Sequence, residues 1–575
     1  MSLPDTLRSR LTYSPRELQF GTSGRRGLLS DLTQLEVYIN VRGELDYLQS
    51  LNPQAGGVAR ADEFYVAYDL RPSSTAFLRG ENRQGEICQA IERGLRDAGM
   101  RTVNLGAIPT PALAYYAFSR GKGSIMGTGS HIPFDRNGYK LNTSRGELLK
   151  EHEDPIHQTV DKIREEVYAE RYSDSPFDEH GMFKDGHHDL PPVFDDAKNA
   201  YVERYRTFFA GYSLSGKRIA VYQHSAVGRD LLVEILREFG AEAHPAGRSD
   251  TFVPIDTENI DAAQLSTIQE IADQVAGSAG PVDAVVSTDG DSDRPLLLGI
   301  EPQTANVRFF GGDLLGMIAA QYLRADSVVL PISCNDAIDR CDLASALETR
   351  TRIGSPYVIA GMRAAREKGR RAVCGWEANG GFLTGSDIQR NGRVLRALAT
   401  RDAVLPLLCT LFASVERGVP LVDLFAALPR RYSKAALVRP FPSSRGKQLV
   451  ESYSPADSRL RDVVFAGQTV AAYDPEGSRL NLSPEASEAI GAIRRRLERF
   501  FPPLAGFAPI AKLNYTDGVR ITFENHDIAH FRPSGNADEL RFYAVADSQN
   551  RADHIAEMAT QSDGVLRQIA SDLPA

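Results

Sequence analysis

The residues around which this chain is organised read Gly127-Thr-Gly-Ser-His-Ile-Pro-Phe-Asp-Arg-Asn-Gly-Tyr-Lys140. Glycines on both sides of Thr128 allow backbone conformations that a side chain would forbid. A proline and an Asn-Gly pair then turn the chain back. The stretch therefore predicts a tight loop that presents one hydroxyl, that of Ser130, beside His131 and ten residues before Lys140. Taken alone, the pattern fits an ordinary surface turn as well as a functional loop.

The composition is that of a globular protein with several domains. The chain has 575 residues, 42% hydrophobic and 25% charged, which suggests roughly four domains. A net charge of −9 argues against a nucleic-acid-binding surface spread over the protein. No apolar run approaches the roughly 18 residues that cross a bilayer, and the polar N-terminus lacks the apolar segment of a secretory signal.

The cysteines indicate a reducing compartment. They are five in number, at positions 88, 334, 341, 374 and 409, and they form neither a CxxC pair nor a disulfide framework. We therefore expect a cytoplasmic protein of the enzyme type, with no nucleic-acid or membrane partner.

Strands alternate with helices over most of the chain, a pattern that favours α/β domains with largely parallel sheets. From about residue 431 the pattern of predicted elements changes to one typical of a smaller α+β domain. The predicted strands are 64–68, 101–105, 217–223, 283–287, 326–332, 371–374, 512–515, 518–523 and 540–546. The predicted helices are 85–98, 151–167, 228–239, 337–347 and a long apolar one at 398–412.

An acidic loop follows the predicted strand 283–287 and carries the strongest chemical signal. It reads Thr288-Asp-Gly-Asp-Ser-Asp-Arg294. Divalent cations prefer carboxylate oxygens, and alternate residues of an extended turn can converge on one ion. An EF-hand is excluded, because Arg294 stands where glycine is needed and Ile300 where glutamate is needed. The loop therefore predicts a metal site at the carboxyl end of a strand, although a solvated acidic turn has the same composition.

Three further loops have ligand-binding compositions. Residues 20–27 (FGTSGRRG) and 531–536 (FRPSGN) combine arginines, hydroxyls and glycines, which suits the wrapping of an anion on a turn. Residues 375–381 (GWEANGG) offer a carboxylate and an amide that could hold vicinal sugar hydroxyls. Such turns also occur in loops without a ligand.

Taken in order, these loops resemble those of the α-D-phosphohexomutase superfamily, the phosphoglucomutases and phosphomannomutases. Five motifs carry the resemblance over nearly the full chain: residues 20–27 for FGTSGxRG, 128–140 for the phosphoserine loop TASHNP with NGxK, 289–294 for DGDxDR, 375–381 for GExSG in a shifted form, and 532–536 for RPSGT or RPSGN. The serine loop departs from the family pattern at Thr128-Gly129 and at Ile132, which replaces an asparagine. The PDGxFP element is present only loosely, at 246–254, where Arg248 could reach substrate.

The resemblance implies a four-domain architecture around a central cleft. Three domains of similar mixed α/β fold precede a C-terminal α+β domain that resembles the TATA-box-binding protein. We expect the domains at 1–195 with the phosphoserine loop, 196–304 with the metal loop, 305–430 with the sugar loop and 431–575 with the phosphate loop. Extra length relative to bacterial members is expected mainly at 36–62, at 168–189 and in the fourth domain.

The resemblance also implies an isomerase that moves a phosphoryl group between the 1- and 6-positions of a hexose. It would do so through a phosphoserine enzyme and a hexose 1,6-bisphosphate, which also acts as activator. Phosphomannomutase is the first expectation and phosphoglucomutase the second. The substrates would be small sugar phosphates, the protein a monomer or homodimer, and the cofactor one Mg²⁺ held by Ser130, Asp289, Asp291 and Asp293.

The resemblance assigns the remaining roles residue by residue. Ser130, Lys140, His131 and Arg26 form the expected catalytic set. Lys140 is the first candidate for proton transfer and His131 the second, with a structural role for His131 left open. The expected substrate-binding set is Arg294, Gly354, Ser355, Glu377, Asn379, Arg532, Ser534, Gly535 and Asn536.

Two other functions are compatible with parts of the pattern. A phosphatase of the haloacid-dehalogenase type would use Asp289 or Asp291 as its nucleophile, but it leaves the Ser130 loop without a role. A sugar-phosphate sensor on a mutase scaffold is disfavoured, because the serine and the acids are all present.

Overall fold

The computed structural model describes residues 5–78, 84–467, 469–535 and 538–572. The chain forms two compact units. One comprises Met1–Val329 and Gly354–Phe425, and the other comprises Leu330–Ile353 and Ala426–Ala575.

The first sheet of the larger unit carries the serine loop. Its strand order is β1-β5-β4-β2-β3, and the loop joins the antiparallel strands β4 and β5. The strands are β1 Arg25–Leu28, β2 Glu63–Tyr68, β3 Arg101–Ala107, β4 Ser124–Gly127 and β5 Arg136–Asn142. The helices are α1 Leu7–Arg10, α2 Gln34–Ser50, α3 Pro72–Thr75, α4 Ile87–Asp97, α5 Thr110–Ser119 and α6 Glu153–Ala169, with 3₁₀ turns at Pro53–Ala55 and Lys150–His152.

The second sheet of this unit carries the acidic loop. Its order is β10-β9-β8-β6-β7, and the loop joins the antiparallel strands β8 and β9. The strands are β6 Arg218–His224, β7 Glu242–Arg248, β8 Ala284–Thr288, β9 Pro295–Ile300 and β10 Val307–Phe309. The helices are α7 Asp196–Phe208, α8 Arg229–Glu238 and α9 Ala262–Ala279.

The third sheet carries residues 375–381 between β12 and β13, in the order β11-β12-β13-β16. Its strands are β11 Ser327–Val329, β12 Val373–Trp376, β13 Phe382–Thr384 and β16 Leu398–Asp402, and β14 Ile388–Arg390 pairs with β15 Arg393–Leu395 as a separate ribbon. The helices are α10 Gly312–Leu323, α11 Ser355–Glu367, α12 Val404–Arg417 and α13 Leu421–Ala426.

The smaller unit is built on a sheet of eight strands whose described pairings are antiparallel. Its order is β17-β24-β23-β22-β21-β18-β19-β20. The strands are β17 Tyr432–Val438, β18 Asp462–Ala466, β19 Thr469–Tyr473, β20 Arg479–Leu480, β21 Ile510–Asn514, β22 Val519–Phe523, β23 Ile528–Pro533 and β24 Leu540–Ala546. The helices are α14 Ser443–Ser452, α15 Pro484–Phe500, α16 Gln549–Thr560 and α17 Val565–Ser571, with 3₁₀ turns at Asp336–Arg340, Asp342–Ala346 and Pro503–Ala505.

The expected α/β class, with several mixed sheets and a final α+β part, is confirmed. The strands of each large sheet fall within one predicted range, except that β10 of the second sheet lies beyond residue 304, and the four ranges remain predictions. Among the described residues, no helix is both long enough and apolar enough to cross a bilayer. The five cysteines carry free thiols.

Three local predictions were wrong. The predicted helix 337–347 is a pair of 3₁₀ turns, and the predicted helix 398–412 begins only at Val404, because residues 398–402 pair with β13 as a strand. The predicted turn at 531–536 starts as strand, since β23 extends to Pro533. In the apolar run at 398–412 the first residues fit a buried strand as well as a helix, and periodicity alone does not separate the two.

Candidate active site

The serine loop has a constrained backbone. Ser130 has a φ of +54°, a left-handed conformation that a non-glycine residue adopts only where its surroundings support it. Its amide donates a hydrogen bond to Thr128 Oγ1 at 2.7 Å, and the Thr128 hydroxyl donates to Asp69 Oδ2 at 2.7 Å. Asp69 follows strand β2 and was assigned no role from the sequence. This chain of bonds fixes the direction in which the Ser130 side chain points.

The acidic loop is a compact turn buried between β8 and β9. The backbone amides of Asp293 and Arg294 both donate to Asp289 Oδ1 at 3.1 Å. Asp289, Asp291 and Asp293 are buried, and one carboxylate oxygen from each lies within 4.8 Å of the others. The expected convergence of the three acids is therefore present in the structure.

The two loops meet at the serine. The Ser130 hydroxyl donates to Asp289 Oδ2 at 2.7 Å, across 159 residues of sequence. His131 Nδ1 lies 3.5 Å from Ser130 Oγ and 2.9 Å from Arg294 Nη1. His131 is thus placed between the serine and the arginine that ends the acidic loop.

Lys140 bonds to the acids rather than to the serine. Its ammonium donates to Asp291 Oδ2 and to Asp293 Oδ2, each at 2.6 Å. Thr110, at the start of α5, also donates its hydroxyl to Asp291 Oδ2 at 2.6 Å. Proton transfer by Lys140 remains a prediction, and its observed contacts are with the two carboxylates.

The three carboxylates differ in their electrostatics. Burial, together with the charges of Asp291 and Asp293, raises the pKa of Asp289 well above its ordinary value. Burial would also raise the pKa of Asp291, but the charge and hydrogen bond of Lys140 hold that pKa well below its usual range. The distances to cations differ as well, since Lys140 Nζ lies 2.6 Å from both Asp291 and Asp293, whereas Arg294 Nε lies 3.8 Å from Asp289 Oδ2.

The donor set fits a hard divalent cation. Asp291 Oδ1 and Asp293 Oδ1 are buried and have no hydrogen-bond partner among the described residues, and Arg294 Nε lies 3.7 Å from Asp293 Oδ1. Orphaned carboxylate oxygens cost free energy unless a positive charge faces them. Oxygen atoms are the ligands that Mg²⁺ prefers, so these residues and Ser130 suit such an ion.

The loop at 375–381 lies next to Arg401, a residue that the sequence motifs did not indicate. Glu377 Oε2 accepts from Arg401 Nη1 at 3.1 Å, and Arg401 Nη2 lies 2.9 Å from Asp293 Oδ2. Asn379 Oδ1 accepts the Gly381 amide at 2.9 Å, which shapes the turn. Arg401 lies on β16, inside the run that was predicted to be helical. Only tertiary folding places Arg401 between the acidic loop and the loop at 375–381, so no local pattern indicates its role.

Arg26 lies in the same unit, on strand β1, which begins at Arg25 within the predicted loop 20–27. It donates from Nη1 to Arg25 O at 3.0 Å and to Tyr139 O at 3.4 Å. Burial lowers the pKa of Arg26 to about 10. Arg25, by contrast, is buried, and its Nε lies 2.6 Å from Glu44 Oε1. This ion pair indicates a packing role for Arg25.

Gly354 and Ser355 stand at the start of α11. Gly354 has a φ of +131°, and a Cβ there would lie 2.7 Å from Thr22 Cγ2, so only glycine fits. The Ser355 hydroxyl donates to Glu147 Oε2 at 2.6 Å. That contact stabilises the helix start, and sugar contact by Ser355 remains a prediction.

The predicted phosphate loop belongs to the smaller unit. Arg532, on β23, donates from Nε to Asp517 Oδ1 at 3.1 Å. Burial opposes the charge of this arginine, but Asp517 raises the pKa of Arg532 above its ordinary value. The Ser534 amide donates to Glu539 O at 2.9 Å, Gly535 is exposed, and Asn536 lies outside the described residues.

Comparisons with known proteins identify related sequences. Two family profiles match, described as phosphoglucomutase/phosphomannomutase alpha/beta/alpha domains I and III, over residues 17–167 and 311–432. A phosphomannomutase of Sinorhizobium fredii is 36% identical over 538 residues, covering 93% of this chain and 97% of the relative. A phosphomannomutase of Salmonella muenchen is 36% identical over 542 residues, covering 94% of each.

A solved structure is similar in fold. It is that of a phosphoglucomutase/phosphomannomutase family protein from Burkholderia thailandensis, with a TM-score of 0.57 and 17% identity. The similarity covers 96% of this chain and 99% of that one.

Proposed function

We propose a function from the premise that this chain belongs to the phosphoglucomutase/phosphomannomutase family. The protein is a phosphohexomutase, an isomerase that interconverts hexose 1-phosphate and hexose 6-phosphate. Mannose phosphates are its preferred substrates in this proposal, and glucose phosphates are the alternative. The observation that carries the proposal is the bond of 2.7 Å from the Ser130 hydroxyl to Asp289, within the cluster of three buried aspartates.

Ser130 is the residue that carries the phosphoryl group in transit. In the first transfer the bond from Ser130 Oγ to phosphorus breaks, and a bond from the free sugar hydroxyl to phosphorus forms, giving the hexose 1,6-bisphosphate. After this intermediate turns over, its other phosphate returns to Ser130 Oγ. Added hexose 1,6-bisphosphate would act as an activator, because it phosphorylates any protein that has lost its phosphate.

The charge of the transferring group is matched by the chain's own cations and by a metal. Asp289, Asp291, Asp293 and Ser130 would hold one Mg²⁺, which would supply Lewis-acid stabilisation of the phosphoryl oxygens. Arg294 orients the acidic loop toward the serine through its contact with His131. Lys140, as the ammonium that bonds to Asp291 and Asp293, would give a proton to the departing Ser130 oxygen, and neutral His131 would take the proton of the attacking sugar hydroxyl. When the serine is unphosphorylated, its own proton faces Asp289.

The substrate contacts come from the remaining predicted residues. Glu377 and Asn379 would hold sugar hydroxyls, and Arg401 orients Glu377 for that purpose. Arg26, Gly354 and Ser355 would line the approach to the sugar phosphate. The phosphate that is not reacting would be bound by Arg532, Ser534, Gly535 and Asn536.

Preference for mannose is supported by the two relatives named phosphomannomutase, which align with nearly the whole chain. Mannose and glucose differ only at C2, so contacts to O3 and O4 serve both sugars. The relative kcat/KM for the two hexose 1-phosphates therefore decides this part of the proposal.

The test is an assay of the full-length protein by phosphorus NMR. The protein is incubated with Mg²⁺, mannose 1-phosphate or glucose 1-phosphate, and a trace of the matching 1,6-bisphosphate. We expect the 6-phosphate to appear, Ser130→Ala to be inactive, and the control Ser119→Ala, at the exposed end of α5, to retain activity. Release of free phosphate alone would contradict the proposal. Activity of Ser130→Ala with phosphate found on Asp289 or Asp291 would favour a phosphatase.

A further inference from the structure

We propose that Arg71 is a positioning residue for the transfer reaction, because it fixes the backbone of the Ser130 loop from behind. Arg71 follows strand β2 and is 1% exposed. This inference rests on the proposed function, in which Ser130 carries the phosphoryl group.

The guanidinium of Arg71 is bonded to the loop at several backbone points. Its Nη2 donates to Ile132 O at 2.6 Å and to Ser130 O at 3.2 Å. Its Nη1 donates to Pro133 O at 2.7 Å and to Arg136 O at 2.8 Å. One planar side chain therefore satisfies four carbonyl groups on both sides of the loop's turn. Lysine, with a single ammonium and no fork, cannot reproduce that geometry.

A second connection runs from the same turn to the serine. Asp69 Oδ1 accepts the Arg71 amide at 3.0 Å, while Asp69 Oδ2 accepts the Thr128 hydroxyl that supports the Ser130 amide. Residues 69–71 thus hold the amide of Ser130 through one path and its carbonyl through the other. With both peptide groups restrained, the left-handed conformation of Ser130 is over-determined.

The open face of the guanidinium is covered by Phe252, in the 246–254 segment that the family motif matched only loosely. Arg71 Cζ lies 3.8 Å from the centroid of the Phe252 ring. The ring also packs near Gly290 of the acidic loop, where a Cβ would lie 3.1 Å from Phe252 and 2.6 Å from Ser130 O. Arg248, the earlier candidate in this segment, instead pairs with Asp230 at 2.7 Å on an exposed surface.

The contacts of Arg71 and Phe252 with the two loops give these residues a role in phosphoryl transfer. Phosphoryl transfer depends on in-line placement of the donor oxygen, and a displacement of about 1 Å can cost on the order of 100-fold in rate. Arg71 and Phe252 set the Ser130 backbone against the acidic loop, and neither belongs to the residues proposed to bind the sugar phosphate. A change at Arg71 should therefore lower kcat and leave KM for the hexose phosphate nearly unchanged.

The experiment compares Arg71→Lys with Arg204→Lys in the full chain. Arg204 is a matched control, since it is 5% exposed, donates to Arg396 O at 2.7 Å and lies 4.9 Å from the Tyr115 ring. We expect kcat to fall about 100-fold in Arg71→Lys with KM within about threefold, and Arg204→Lys to remain within about twofold. Phe252→Leu removes only the stacked ring and should lower kcat about tenfold. This variant tests the inference if Arg71→Lys fails to fold.

Hydrogen exchange measured by mass spectrometry gives a readout without turnover. Peptides spanning 128–137 should exchange faster in Arg71→Lys than in Arg204→Lys. Equal kcat in the two variants, a loss explained entirely by KM, or unchanged exchange in 128–137 would overturn the inference. Failure of the wild-type protein to interconvert hexose phosphates would overturn the proposed function, and the exchange comparison would still report whether Arg71 fixes the loop.

Discussion

Replacing Arg401 by methionine tests the electrostatic balance of the candidate site. Arg401 is 3% exposed and bridges Glu377 Oε2 at 3.1 Å and Asp293 Oδ2 at 2.9 Å. Burial opposes its charge, yet Asp293 and Glu377 raise the pKa of the Arg401 guanidinium well above its ordinary value. Without Arg401, Asp293 keeps its bond to Lys140, whereas Glu377 loses the side-chain partner that the structure gives it.

The expected loss of stability follows from this uncompensated charge. Removing one partner of a buried ion pair typically costs about 3–5 kcal/mol. The larger unit has about 400 residues, so its unfolding entropy is about 0.8 kcal/mol/K at the midpoint and the melting temperature should fall by about 4–6 °C. Adding Glu377→Gln to the variant removes the unpaired charge and should recover about half of that loss.

Scanning calorimetry in EDTA measures both variants without bound divalent metal. Two compact units need not unfold together, so the transition of the larger unit is followed separately. Arg417→Met, at the exposed end of α12, is the matched control and should melt within about 1 °C of wild type. The reasoning is refuted if Arg401→Met melts like this control, or if the double variant melts no higher than Arg401→Met.

Three further outcomes are expected. Asp291→Asn should weaken Mg²⁺ binding at least about tenfold in titration calorimetry, because it removes one of three clustered carboxylates; unchanged affinity would place the ion elsewhere. Gly290→Ala should lower kcat with little change in KM, since the new Cβ would lie 2.6 Å from Ser130 O; wild-type kcat would contradict the contact. His224 is buried with Nε2 2.8 Å from Thr288 O, and burial lowers its pKa from 6.5 to about 4. Only the unfolded chain takes up that proton as pH falls from 6.5, so stability should drop by about 3 kcal/mol below pH 4. His224→Gln should flatten this pH dependence, and an unchanged slope in urea unfolding would assign it to other groups.

Much of the fold could be predicted because its signals are local. Buried strands such as 64–68 and 283–287 are continuous apolar runs, and they end in loops rich in glycine and polar residues. The errors arose where one apolar segment is compatible with both a strand and a helix. Residues 398–402 fit a strand or a helix equally well, and pairing with β13 decides between them.

The candidate site was predictable to the extent that each loop carries its own chemistry. Asp289, Asp291 and Asp293 converge as expected, because alternate residues of a tight turn face the same side. Ser355 shows the limit of this reasoning, since its hydroxyl is already bonded to Glu147, more than 200 residues away. No local pattern indicates which side chains will be engaged by such distant partners.

The sequence by itself determined the loops, their order and the atoms they offer: a hydroxyl at Ser130, three carboxylates from 289 to 293, and a carboxylate at Glu377. Only the tertiary structure decided which of these groups touch. It placed Ser130 against Asp289, directed Lys140 to the acids, and brought in Arg71 and Arg401, which no motif had singled out. The physical reason is that buried charges and carbonyl groups must find partners wherever packing provides them, and packing joins residues without regard to their separation along the chain.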